Sequence, residues 1–334
     1  MKNIYLLRVT FGFVVSFFLM FEVNAQILPP VTINNNQNFQ YSNYKFAPLA
    51  INPALAGSEG LFRFSSMIGD KFNDVYRLPS RQLNFSSEYT FMGGSKDNDK
   101  FGIGVSVDLI RFARSNSFVY PIPNGTNYSF GAAYHYSLNA SAKDFLSFGM
   151  QYNSASRYFV ESRYNLGVYP EDFIYNSPNR SNLSFGLLYK SSIGHKEKSF
   201  GIATYWLNSI LPYLPNTKKL NRYGFNIHGS YDIDLYKNFS ITPGFLYSKF
   251  EFSKLLNINA NVSYWINKEK RSKVYLGLGL TDIKRTIIYA GATLQGVNFS
   301  FAYDINKTSD DRFSNIQRGI ELGASYTGLA RKNN

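Results

Sequence analysis

The 334-residue sequence has no cysteine and only three histidines. Without cysteine there is no disulfide scaffold, no thiolate chemistry and no cysteine metal site, and three histidines leave little for a histidine-rich one. Charged residues are also scarce, at 17% against about 25% in average globular chains. Beyond the first 25 residues there is no apolar run of about 20, so a bundle of membrane helices is excluded. What is abundant is aromatic: Tyr 26 and Phe 30, with aromatics at 17% of the chain. Disordered chains carry few aromatics and high charge, so this one folds. The formal charge is +13, but its Lys and Arg residues are scattered singly among turns and loops. Nucleic-acid affinity needs a clustered positive footprint, and none is present.

The first segment reads as an address. Lys2 and Arg8 precede the apolar stretch Phe11 to Phe21, followed by Val23-Asn24-Ala25. A basic start, a short apolar core and small residues before a cleavage point make a secretory signal peptide over 1–25, cut before Gln26. No cysteine follows the cut, so a lipoprotein is not expected.

The rest alternates with period two. Phe101, Ile103, Val105, Val107 and Leu109 stand opposite Gly102, Gly104, Ser106 and Asp108. Tyr128, Phe130, Ala132, Tyr134, Tyr136 and Leu138 alternate with Ser129, Gly131, Ala133, His135 and Ser137. Leu256, Ile258, Ala260, Val262 and Tyr264 alternate with Asn257, Asn259, Asn261 and Ser263. That period is a strand signature. In a soluble sandwich the polar face carries Lys, Glu and Thr; here it is Gly, Ser, Asn and Ala. Small polar residues suit the wet interior of a closed barrel, and large apolar ones suit lipid outside it. Closure is required because an open edge would leave backbone groups unpaired in hydrocarbon. The expected fold is all-β: a transmembrane antiparallel barrel over 61–330, with about 14 strands.

The strands are expected to start near Leu61, Gln82, Phe101, Asn127, Phe145, Asn182, Ser199, Arg222, Phe239, Leu255, Lys273, Thr286, Gly296 and Arg318. Even-numbered links are short and several odd-numbered ones long, notably Arg111 to Gly125, Ser154 to Arg180, Asn208 to Asn221 and Asn306 to Asn315. That phase predicts an outer-membrane protein of a Gram-negative bacterium with a periplasmic N-terminus and extracellular long loops. Glu88, Asp108, Lys190, Arg222 and Glu321 fall on the small-polar phase. A cation facing mid-bilayer lipid costs on the order of 2–4 kcal/mol, so these five are assigned to the lumen.

Between the signal peptide and the first strand runs Phe39-Gln40-Tyr41-Ser42-Asn43-Tyr44-Lys45-Phe46-Ala47-Pro48-Leu49-Ala50-Ile51-Asn52-Pro53-Ala54-Leu55-Ala56-Gly57-Ser58. This stretch resembles the N-terminal signature of the PorP/SprF family of type IX secretion and gliding-motility membrane proteins, most closely over Leu49 to Ser58. Ser184-Phe185-Gly186-Leu187-Leu188-Tyr189 and Ser199-Phe200-Gly201-Ile202 resemble a pair of strand motifs of the same family. Leu55 stands where the family has Tyr, and Gly69-Asp70-Lys71-Phe72 stands where it often has Arg-Asn-Gln-Trp. The chain therefore resembles a divergent member. The resemblance implies a partner-binding role: anchoring, or helping to export, a large surface protein or adhesin with a type IX sorting domain, beside other outer-membrane components of that machinery.

Pro48 and Pro53 restrict their own φ and push Ala47 and Asn52 towards extended backbone, while Ala54, Ala56 and Gly57 are small enough to lie against a barrel wall. Residues 26–60 are therefore expected to form an extended N-terminal plug or lid at the periplasmic mouth. The loop from Ser154 to Arg180 carries Tyr158, Arg163, Tyr164, Tyr169, Phe173 and Tyr175, the residue types enriched at binding hot spots. A channel for hydrophobic compounds or small solutes is the alternative. Catalysis is not expected: His135 and His228 have no nucleophile motif beside them, and the Asp97/Asp99 and Asp310/Asp311 pairs lack the spread of oxygens a calcium loop uses. No cofactor or metal is implied.

Overall fold

The computed structural model describes residues 44–73, 78–92, 99–112, 122–138, 144–163, 171–193, 196–208, 221–250, 253–268, 271–281, 285–306 and 317–328. The expected signal peptide, residues 26–43 and most of the links therefore lie outside the described residues.

One antiparallel sheet contains β1 (Phe62–Asn73), β2 (Leu78–Met92), β3 (Lys100–Phe112), β4 (Ile122–Ser137), β5 (Asp144–Arg163), β6 (Glu171–Ile193), β7 (Lys196–Asn208), β8 (Asn221–Tyr231), β9 (Ile233–Tyr236), β10 (Phe239–Phe250), β11 (Ser253–Asn267), β12 (Ser272–Thr281), β13 (Arg285–Leu294), β14 (Val297–Asn306) and β15 (Gln317–Gly328). Neighbours in sequence pair except β8 and β9, β1 pairs with β15, and β8 passes to β10, which pairs with β11. The ring is closed by 14 strands, with β9 as an extra. β9 pairs only with β10 and continues β8 past a break at Asp232. There the Asp232 carboxylate accepts from the Glu197 N–H (3.1 Å) and from the Thr242 hydroxyl (2.5 Å). That extra piece shrinks the expected link Asp234 to Asn238 to the two residues Lys237 and Asn238. The link at Gln295 is a two-residue turn, Gln295-Gly296, with φ of 49° and 91°. Two positive φ values are what the mirror-image hairpin turn requires.

The faces divide as the alternation demands. Phe130, Phe148, Tyr152, Leu276 and Leu278 point outward and are half or more exposed, while Ser129, Ser147, Gln151 and Asn259 are buried within the ring. Alternation blurs at β13 because the lumen there is apolar: Ile287, Tyr289 and Ala302 form an internal cluster.

Two expectations need correction. Ser154 to Arg180 is not one long loop, because β5 and β6 continue as a paired hairpin to Arg163 and Glu171, with a register shift between Ala155 and Arg157. Aromatic and β-branched residues at Tyr158, Phe159, Val160, Phe173, Ile174 and Tyr175 favour strand, so pairing outlasts the other strands. Nor is the described part of the N-terminal segment, residues 44–60, extended. It forms three single turns, Tyr44–Phe46, Pro48–Ile51 and Pro53–Leu55. Each proline opens a turn, where its missing N–H costs nothing, and only Asn52 between them is extended, at φ −158° and ψ 120°.

Candidate functional site

The described part of the N-terminal segment, residues 44–60, lies inside the lumen. It leaves β1 at the short-turn end, where the Leu61 N–H donates to Gly328 O and the Thr90 N–H to Leu61 O. It then reaches the middle of the strands. Phe46, Ala47 and Ile51 pack with Met67 of β1 and Leu246 of β10, and Leu49 and Ala56 pack with Ala133 of β4. Burying each large apolar side chain contributes about 1.5–3 kcal/mol.

The wall has a groove for the second half of this segment. Gly102, Ala133, Gly149, Gly186 and Ala203 lie directly opposite one another across β3 to β7. This register forms an inward belt of the smallest side chains. Residues 52–57 lie along it: a Cβ on Gly102 would stand 2.0 Å from Ala56 O, and one on Gly149 would stand 2.2 Å from the Ala54 nitrogen. On the segment side, Gly57 has φ 70° and lies so close that its own Cβ would meet Gly102 Cα at 2.7 Å.

Polar contacts hold the segment on the belt. Asn52 is fully buried. Its Oδ1 accepts from the Ala54 N–H (2.9 Å), and its Nδ2 faces Leu187 O (2.9 Å) and His228 Nε2 (3.1 Å). Since the amide nitrogen can only donate, His228 Nε2 accepts and its proton sits on Nδ1. His135 works the other way round: its Nε2 donates to Ala56 O (2.8 Å), and Nδ1 accepts from Ser147 (2.6 Å). Ile51 O takes the Tyr205 hydroxyl (2.6 Å) and Asn226 Nδ2 (2.9 Å). The Gly57 N–H donates to Glu88 (3.0 Å), and the Thr90 hydroxyl reaches Gly57 O and Gly60 O. Lys190 pairs with Glu59 at 2.6 Å and with Glu197. The Lys190 ammonium holds the Glu59 carboxyl down at about 2.

Of the expected lumen charges, Glu88, Asp108, Lys190 and Glu321 are buried. Asp108 accepts from Asn84 and Asn127. Arg222 sits in β8 opposite Leu207, and its side chain lies outside the described residues. Of the expected partner-binding residues, Tyr158, Arg163, Phe173 and Tyr175 are in the β5–β6 extension, where Tyr158 faces Asn176 and Arg163 faces Glu171. Tyr164 and Tyr169 lie outside the described residues. Pro48, Asn52, Pro53, Ala54, Ala56 and Gly57 are all buried. Sequence reasoning put His135 and His228 on the inward phase but missed the belt, the hold of both histidines on residues 52–56, and Tyr205. The inward glycines were visible in the alternation, but only register shows that they form one line.

Among the described residues, no cluster of His, Cys, Asp or Glu could hold a metal ion. No curated protein matches the chain. Among solved structures, the toluene transporter TbuX of Ralstonia pickettii aligns with TM-score 0.51 at 9% identity, covering 84% of this chain and 93% of that one. The translocator domain of the autotransporter NalP from Neisseria meningitidis aligns with TM-score 0.44 at 10% identity, covering 80% and 88%. At such identities the first likeness speaks for a membrane-barrel fold alone. The profile described as type IX secretion system membrane protein PorP/SprF matches residues 33–319, taking in the buried Pro48-to-Gly57 segment and the belt that receives it. With fold, segment and profile in agreement, this chain belongs to the PorP/SprF family of type IX secretion system membrane proteins.

Proposed function

We propose that this barrel is a partner-binding component of the type IX machinery in the outer membrane of a Gram-negative bacterium. Its short turns and N-terminus face the periplasm and its longer links face outward. It binds a large surface protein or adhesin carrying a type IX sorting domain, and anchors it or helps it cross, in secretion or gliding. The observation that carries this reading is the lumen crossed by residues 44–60, which the wall holds at Asn52, Ala56 and Gly57. A barrel crossed in this way works through its surfaces, and the projecting β5–β6 hairpin is the surface we assign to the partner. A channel for hydrophobic compounds or small solutes is the rival reading, since TbuX shares the fold.

Two measurements test the reading. Deletion of the gene in its host is expected to remove a large protein from the cell surface, and the purified barrel is expected to be silent in planar bilayers. An unchanged surface protein profile together with steady conductance would overturn it in favour of the channel.

A further inference from the structure

Residues 44–60 fill the lumen unevenly. The second half of this stretch lies against β3 to β7, and on the opposite side a cavity of about 330 Å3 remains between it and strands β7, β8, β10 to β15 and β1. The cavity runs from Arg271 and Gly296 at the short turns down to His228, Asn259 and Tyr289. Three carboxylates line it, and each is already engaged. Glu59 and Glu197 are both held by Lys190, and Asp232 takes the Glu197 N–H and the Thr242 hydroxyl. Four cations also line it: Lys45, Arg63, Arg271 and Lys273. Among the described residues none of these four forms an ion pair. Arg63 donates to Lys45 O, and Lys273 rests over the Trp265 ring at 4.6 Å.

We infer that this cavity binds a small carboxylate ligand entering from the short-turn mouth. With Lys190 already holding two of the three carboxylates, the four lining cations leave an excess of positive charge that suits an anion. Asn259, Asn261, Asn298, Ser263 and Thr293 supply donors and acceptors for a polar body behind that charge. The volume lies within the range of small-molecule sites, roughly 300–1,000 Å3. A free peptide terminus and a sugar acid share this chemistry. The site does not depend on the partner-binding role proposed above.

The sequence contains two tryptophans, so Trp206→Phe leaves Trp265 as the sole reporter beneath Lys273. The full-length Trp206→Phe protein in detergent is titrated with N-acetyl-triglycine, its amide, a uronic acid disaccharide and maltose, by fluorescence and calorimetry. A saturable response to the free-acid peptide, the sugar acid or both is expected, with none to the amide or maltose. Peptide alone identifies a chain terminus as the source, and sugar acid alone a glycan. Binding should weaken at least tenfold in Arg271→Gln/Lys273→Gln, and about threefold in Arg271→Gln alone, a change in an exposed turn. Heat-modifiable migration on gels reports that both variants remain folded. No saturable response to either acid, equal binding of the neutral analogues, or full affinity in the folded double variant would overturn the inference.

Discussion

Asn52 has no exposed surface, and both ends of its amide are engaged: Oδ1 caps the turn at Ala54, while Nδ2 reaches Leu187 O and His228. Asn52→Ala would leave the Ala54 N–H and His228 Nε2 without these partners. Each buried group so stranded costs about 1–3 kcal/mol. The variant is expected to lower the denaturant midpoint in detergent micelles and to speed hydrogen exchange at residues 53–57. Glu59 adds a pH dependence with a definite sign. Its carboxyl is lowered from 4.5 to about 2 by Lys190, so the unfolded or undocked form binds a proton first. The stabilisation is fully present above pH 4.5 and fades as pH falls towards 2. Protection at residues 57–60, taken relative to the intrinsic exchange rate at each pH, should fall across that window in the wild type, and Glu59→Gln should remove this contribution to the fall.

At the scale of elements, the belt decides whether the segment can dock. A methyl on Gly149 would sit 2.2 Å from the Ala54 nitrogen and 2.4 Å from Pro53 C. Backbone cannot rotate away as a side chain can, so Gly149→Ala must displace the segment. Gly131 is also on an inward phase, but a methyl there would meet nothing closer than 3.6 Å, and it serves as the control. Gly149→Ala is expected to raise conductance in planar bilayers above that of the wild type, while Gly131→Ala leaves it unchanged. Equal conductance of the two variants would mean that the segment does not control the lumen. The strands themselves are legible in the sequence because alternation is a local signal: β3, β10 and β14 begin within one residue of the expected Phe101, Phe239 and Gly296. Register is not local. Gly102, Ala133, Gly149, Gly186 and Ala203 are scattered over a hundred residues, and nothing in any one strand says they align. The turns at Pro48 and Pro53 depart from the extended expectation because proline biases the residue before it towards extended backbone yet also favours the first position of a helical turn. Both effects operate here.

For the whole molecule, one inequality organises everything: large apolar side chains outside, small polar ones inside. Leu276 in β12 is 67% exposed on the outer face, and Leu278 is 62% exposed two residues on. In water such a surface would be an aggregation liability, whereas in hydrocarbon it is the ordinary outer face of a barrel. This gives a test that distinguishes solvent from lipid. In protein refolded into phosphatidylcholine vesicles, Leu276→Arg is expected to lower the unfolding free energy by about 2–4 kcal/mol, the cost of a cation near the midplane. Leu276→Phe should be close to neutral, because lipid accepts any apolar shape. A surface leucine in contact with water would respond in the opposite order, tolerating arginine at least as well as phenylalanine. Urea titration of the three proteins side by side reads the order directly. If the arginine variant proved as stable as wild type, the outer face would not be lodged in hydrocarbon, and the closed ring would need a different reason for its 14 strands.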